Sequence, residues 1–216
     1  MSILRTLETI TLDGGALPFH FINTVRDRKV EHIHNYLTSY QDLIIWTRRM
    51  KLMNEAELGE LENFANKNPD EANQAYARAI SLRETMYAMF SAIADYKQPN
   101  QAVVDAFNGF LSEALSRLSL MFAGGRLFFE IKSDEDINLN KPIFLVLKDT
   151  YRLLCEEDRS RMKECQKCGW IFLDHTKNNT KLWCNPQICG STSKSTRYYH
   201  RKKRAKQGGI NKHEPV

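Results

Sequence analysis

The sequence predicts an α+β protein: a mostly helical N-terminal domain with a small β-hairpin or sheet, then a C-terminal unit built around four cysteines and ending in a basic helix. Three observations predict it. Apolar residues recur at three- and four-residue steps through most of residues 1–158. A short alternating stretch folded about Gly124-Gly125 interrupts that pattern. Beyond it stand Cys165-x2-Cys168 and Cys184-x4-Cys189, with fifteen residues between the pairs.

Taken in order, Leu7-Glu8-Thr9-Ile10-Thr11-Leu12 alternates and predicts an edge strand, closed by the Gly14-Gly15 turn. Phe19 to Val25 suits a short helix or an extended entry. Ser39-Tyr40-Gln41-Asp42 resembles a capping box that opens a helix through Leu43-Ile44-Ile45-Trp46, with Trp46 in the core. Asn54 can cap another over Leu58, Leu61 and Phe64. The longest helix is expected from about Asp70 to Lys97, because Ala75, Ala79, Leu82, Met86, Met89 and Ile93 form one stripe. A further helix after Pro99 turns Val103, Val104, Phe107, Phe110, Leu111 and Ala114 inward.

Leu118 to Ile131 then reads as a hairpin with room for the first strand as a third. An acidic loop, Ser133 to Asp136, leads to Pro142 and a helix from Ile143 to about Glu157, whose apolar run also suits a strand. Cys155, near its end, is expected to be a small buried hydrophobe. Arg159-Ser160-Arg161 marks the expected boundary, dividing the chain into residues 1–158, 159–206 and a disordered tail, 207–216.

Two cysteine pairs at this spacing fit a closed tetrahedral site for one structural zinc ion, with Cys165, Cys168, Cys184 and Cys189 as ligands. Gly169 supplies a turn and Trp170-Ile171-Phe172-Leu173 a short strand, so the first pair belongs on a hairpin knuckle. Pro186 suits the first turn of a helix, which puts the second pair at a helix start. Knuckle plus helix start is a treble-clef-like finger. Such a unit buries little apolar surface, and metal supplies about 10 kcal/mol of folding free energy in comparable peptides. No apolar leader is read in Met1 to Glu8, so a reducing, cytoplasmic setting is expected and paired disulfides are disfavoured. Iron-sulfur ligation is the competing use of four thiols.

The formal charge of +5 conceals an asymmetry. Residues 161–206 hold twelve Lys and Arg against Glu164 and Asp174, whereas residues 1–160 carry a net −5. A helix after Cys189 would align Lys194, Arg197, Arg201 and Arg204 on one face, with Lys202 beside them. Lys177 and Lys181, between the metal pairs, would extend that surface, and Tyr198 and Tyr199 could stack on a base or pack on the knuckle. Duplex DNA is the obvious polyanionic complement. The same surface also suits RNA, a ribosome, or an acidic protein partner. No run approaches eighteen apolar residues, which excludes a membrane-spanning helix. Asp174-His175 and His200 suggest hydrolysis, but four thiolates leave the metal no open position, so an enzyme is not expected.

Cys165-x2-Cys168-Gly169-Trp170-Ile171-Phe172-Leu173-Asp174, then Trp183-Cys184-x4-Cys189-Gly190 and a basic segment, resembles the CGNR zinc finger of bacterial proteins. Phe21-Ile22-Asn23-Thr24 and Leu82-Arg83-Glu84-Thr85-Met86 are similar to short motifs of the ABATE domain that usually precedes that finger. The resemblance implies a stress-linked transcription regulator whose finger binds DNA and whose N-terminal domain binds a small ligand. The namesake Cys-Gly-Asn-Arg stands here as Cys189-Gly190-Ser191-Thr192, and the usual basic pair before the tryptophan as Lys181-Leu182. Metal binding should survive both changes, while contacts made by the missing arginines should not. For an anionic effector the candidate contacts are Asn23 and Arg83, each inside a motif-like segment. An internal carboxylate for Arg83 and a turn for Asn23 are the structural alternatives.

Overall fold

The structure is a computed structural model that describes residues 6–132 and 137–193, together with 195, 198 and 199. The expected acidic loop at 133–136 and the tail 207–216 lie outside the described residues.

Helix α1 (Leu17–Ile22) starts with Pro18 in its first turn and buries Phe19, Phe21 and Ile22. In α2 (Tyr40–Arg49) the Ser39 hydroxyl accepts the Asp42 N–H at 3.2 Å. The Asp42 carboxylate reaches back to the Thr38 N–H at 2.8 Å, one residue beyond an ordinary capping box. Asn54 and Glu57 complete a full capping box on α3 (Glu55–Lys67). Pro69 then opens α4 (Pro69–Ala94), whose Ala75, Ala79, Leu82, Met86 and Met89 form the buried stripe. Helix α5 (Gln101–Ser116) buries Phe107 and Ala114 most deeply.

The hairpin forms as β1 (Leu118–Ala123) and β2 (Arg126–Ile131), with Leu118 opposite Ile131 and Ala123 opposite Arg126. Gly124 and Gly125 turn at φ +58° and +74°, the left-handed region that a two-residue hairpin loop requires. Helix α6 (Lys141–Glu156) follows and buries Ile143, Phe144, Val146, Leu147 and Leu153 on one face. Its helical periodicity excludes the strand alternative. A single 3₁₀ turn, Arg159–Arg161, leads into β3 (Met162–Glu164), which pairs antiparallel with β4 (Ile171–Leu173).

Two expectations are corrected. Leu7 to Leu12 forms a turn rather than a strand. Leu7 and Ile10 are both buried because a turn, like a helix, brings residues three apart to one side, and Arg49 donates to both of their carbonyls. The hairpin therefore gains no third strand from it. Cys155 is exposed, on the face of α6 opposite the core.

The core runs through the body and into the C-terminal unit. Phe19 meets Phe90 edge-on at 5.0 Å, and fully buried Trp46 lies against Phe21 at 5.3 Å. Met162, Ile171 and Leu173 belong to this same apolar cluster. A second, smaller cluster gathers the metal-site cysteines with Trp170, Phe172 and Trp183. Phe172 thus points away from Ile171 and Leu173, as the two-residue period of a strand demands.

Candidate metal centre

The sulfurs converge because two turns face each other. The first is the knuckle between β3 and β4. Cys165 N–H donates to the Trp170 carbonyl at 2.8 Å, and Gly169 N–H to the Cys165 carbonyl at 2.9 Å. Gly169 has φ +72°, and a Cβ there would stand 3.0 Å from the Arg28 Cβ, so both the turn and the close approach require glycine. The second is a wide turn, Pro186–Gly190, that continues as helix through Ser191, Thr192 and Ser193. Asn185 caps it, accepting from Gln187 N–H at 3.0 Å and Ile188 N–H at 3.1 Å. The Asn185 amide in turn donates to Asp13 of the body at 3.1 Å.

Cys165, Cys168, Cys184 and Cys189 are all buried and their sulfurs lie within 4.8 Å of one another. Cys168 and Cys184 sulfurs are 3.6 Å apart, and Cys189 is 3.7 Å from each. A disulfide needs about 2.05 Å, so no pair is bonded. A tetrahedron with Zn–S bonds of about 2.3 Å has edges of about 3.8 Å, which matches this spacing. A multi-iron cluster would spread the thiolates over different iron atoms and separate them further. One mononuclear ion fits, with no coordination position left open. The crowding also splits the thiols: hydrogen bonds from Cys168, Cys184 and Cys189 hold Cys165 far below the ordinary thiol range, while Cys184 is pushed far above it, first by Cys165. A bound zinc ion relieves that competition by charging all four together.

The centre is docked on the body by polar contacts. Asn23 is buried, and its side-chain amide donates to the Ile171 carbonyl at 2.8 Å and accepts the Ile171 N–H at 3.0 Å. It thereby serves β4 as a neighbouring strand would. Trp170 donates its indole N–H to the Val25 carbonyl at 2.8 Å, and Leu173 N–H reaches the Gly14 carbonyl at 3.0 Å. Glu164 accepts from the Ser91 hydroxyl at 2.6 Å and pairs with Lys29 at 3.1 Å.

Arg28 is the hinge-pin that sequence inspection misses. Its backbone N–H donates to the carbonyl of ligand Cys168 at 2.8 Å, while its guanidinium meets Glu84 at 2.7 Å and lies 3.8 Å over the Tyr87 ring. Arg83 joins the same carboxylate at 2.8 Å and reaches Asn35 at 2.7 Å. Burial of Arg83 lowers its pKa, opposed by Glu84. Burial alone would raise Glu84, but the two guanidiniums outweigh it and hold that carboxylate below its usual range. Asn23 and Arg83, the expected ligand contacts, are thus both placed in internal networks, 4 % exposed or less.

Of the expected nucleic-acid contacts, Lys177 is exposed and Tyr198 is 58 % exposed. Lys181 is half-buried, its ammonium 5.0 Å from the Phe172 ring centroid. Lys194, Arg197, Arg201, Lys202 and Arg204 lie outside the described residues, as does His200. The loop carrying Lys177 and Lys181 is organised by Asp174, which is fully buried. Burial would raise Asp174, but Lys163 at 2.8 Å, the Thr176 hydroxyl and the backbone N–H groups of Thr176 and Lys181 hold it well below the carboxylate range. That arrangement makes Asp174 the anion that pins this loop. A cavity of about 360 Å³ opens along the seam between body and finger, lined by Asp13, Arg26, Asp27 and Lys167 and by the ligands Cys168, Cys184 and Cys189, so it takes in the metal position. No helix among the described residues is long and apolar enough to cross a membrane.

Comparison with known families places both parts of the chain. Residues 161–202 match the CGNR zinc finger, whose expected ligands are the cysteines that converge here. Residues 15–157 match ABATE, described as "Putative stress-induced transcription regulator". A search of curated proteins finds no match to the chain. The four-cysteine cluster and the finger match together identify one structural zinc ion as the resident metal. The chain therefore belongs to the ABATE family and ends in a CGNR zinc finger.

Proposed function

We propose that this protein is a DNA-binding transcription regulator. Its zinc finger and the basic segment after Cys189 contact duplex DNA, and its helical body is the regulatory part. The observation that carries this reading is the charge of a finger docked on an acidic body. One side, with Asn23, Val25, Ser91 and Gly14 against it, is committed to the body. Lys177, Tyr198 and Tyr199 are exposed, and the sequence after Cys189 supplies Lys194, Arg197, Arg201, Lys202 and Arg204. A finger held rigidly on an acidic body while twelve Lys and Arg accumulate within residues 161–206 suits a polyanion. RNA and an acidic protein partner are the competing occupants of the same surface.

An effector would act most directly in the seam cavity, because its walls come from both the body and the metal knuckle. Arg26 and Lys167 stand in it beside Asp13 and Asp27, so its walls carry both signs of charge.

The test is a gel shift with duplex DNA and with structured RNA across a salt series. We expect DNA to bind with steep salt dependence, and the Arg197→Ala and Arg201→Ala double variant to bind more weakly. Its log–log slope should flatten by about 0.9 per lost phosphate contact. Unchanged affinity and slope would remove this segment from the interface, and preference for RNA would replace the DNA reading.

A further inference from the structure

The β1–β2 hairpin presents an apolar surface that the rest of the described chain leaves open. Register assigns Leu118, Leu120, Phe122, Leu127, Phe129 and Ile131 to one face, since Leu120 pairs with Phe129 and Phe122 with Leu127. Ile131 is buried against the body, and Leu118 packs beside it. The four residues beyond them are not covered: Leu120 is 58 % exposed, Phe122 72 %, Leu127 67 % and Phe129 56 %. No polar side chain interrupts this face. The opposite face adds Met121 and Phe128, set among Ser119, Arg126 and Glu130.

With about 200 Å² for a fully exposed large apolar side chain, the open face offers roughly 500 Å² and the whole hairpin roughly 700 Å². The largest apolar patch on a typical monomer is about 300–600 Å² and is often functional, and the open face lies in the upper part of that range. A two-stranded sheet is also only marginally stable without a layer against its apolar face.

We propose that this face is covered by the same face of a second copy of the chain, so that two hairpins stack about a twofold axis into a two-layer sandwich. Three features select this occupant. A patch of roughly 500 Å² with its polar rim approaches the ~800 Å² per partner of a stable interface. A face with no charged or hydrogen-bonding side chain has the character of a homodimer core rather than of a transient contact with another protein. Edge-to-edge strand addition at the Phe129 position of β2 would displace the Lys148 ammonium from α6, which donates to that carbonyl at 2.5 Å. Stacking face to face needs no free edge, and the twofold axis lets identical strips match. This proposal stands independently of DNA binding.

Sedimentation equilibrium of the full zinc-loaded chain tests it. The wild type should be dimeric at micromolar concentration. Phe122→Glu and Leu127→Glu, both at solvent-facing positions, should each raise the dimer dissociation constant about 30-fold or more while leaving zinc content and helical circular dichroism unchanged. Hydrogen exchange of the wild type above and below its dissociation constant reads the same surface without substitution. Slower exchange across residues 118–131 in the dimer is expected. A wild-type chain that stays monomeric overturns the proposal, as does a dimer indifferent to both variants or one that protects other segments alone.

Discussion

Asn23 shows how one side chain can join two parts of a protein. Both ends of its amide are spent on the backbone of Ile171, a residue 148 positions away and fully buried. Replacing it by Ala strands a buried N–H and a buried carbonyl, each at about 1–3 kcal/mol. Asn23→Ala should therefore lose about 2–4 kcal/mol in chemical denaturation of the zinc-loaded chain, and a loss under about 0.5 kcal/mol would refute the clamp. The sequence marks Asn23 and Arg83 as polar groups unexplained by the core pattern, and both are indeed buried. Their partners were not legible, because a side-chain bond to a distant backbone leaves no local signal. Arg28 was less legible still: within Arg26-Asp27-Arg28-Lys29 it looks like part of a solvated charged loop. The four metal ligands are the opposite case, since each pair lies within one turn and spacing alone reveals it.

Among elements, legibility followed length and period. The stripe of α4 and the paired glycines of the hairpin carry strong local preferences, and both elements formed where expected. Leu7 to Leu12 alternates for too few residues to distinguish a strand from a turn that buries every third position. Strand β3 offered no cue at all, because Met162-Lys163-Glu164 has a single apolar residue and exists as the partner of β4. Within the finger, the four cysteines of the knuckle and the wide turn gather in one cluster with Trp183. Cys184→Ser should reduce zinc from one ion per chain to none in a metal assay after dialysis, as expected when a four-thiolate set loses one member. Wild-type metal content in that variant would contradict the closed site.

At the scale of the whole molecule, the helical body and the metal-bearing unit share a core that crosses the junction between them. Ile171 and Leu173 sit in the same cluster as Phe19, Ile22 and Phe90. Arg28 ties a metal ligand's carbonyl to the carboxylate that also holds Arg83. The central claim is that the zinc centre seats the finger on the body, so that loss of metal is felt in helices that never touch it. Hydrogen exchange of the full chain with and without a zinc chelator tests this most directly. Faster exchange after chelation is expected in residues 162–193 and also in residues 19–28 and around Ser91. Faster exchange confined to residues 162–193, with the body unchanged, would contradict the claim.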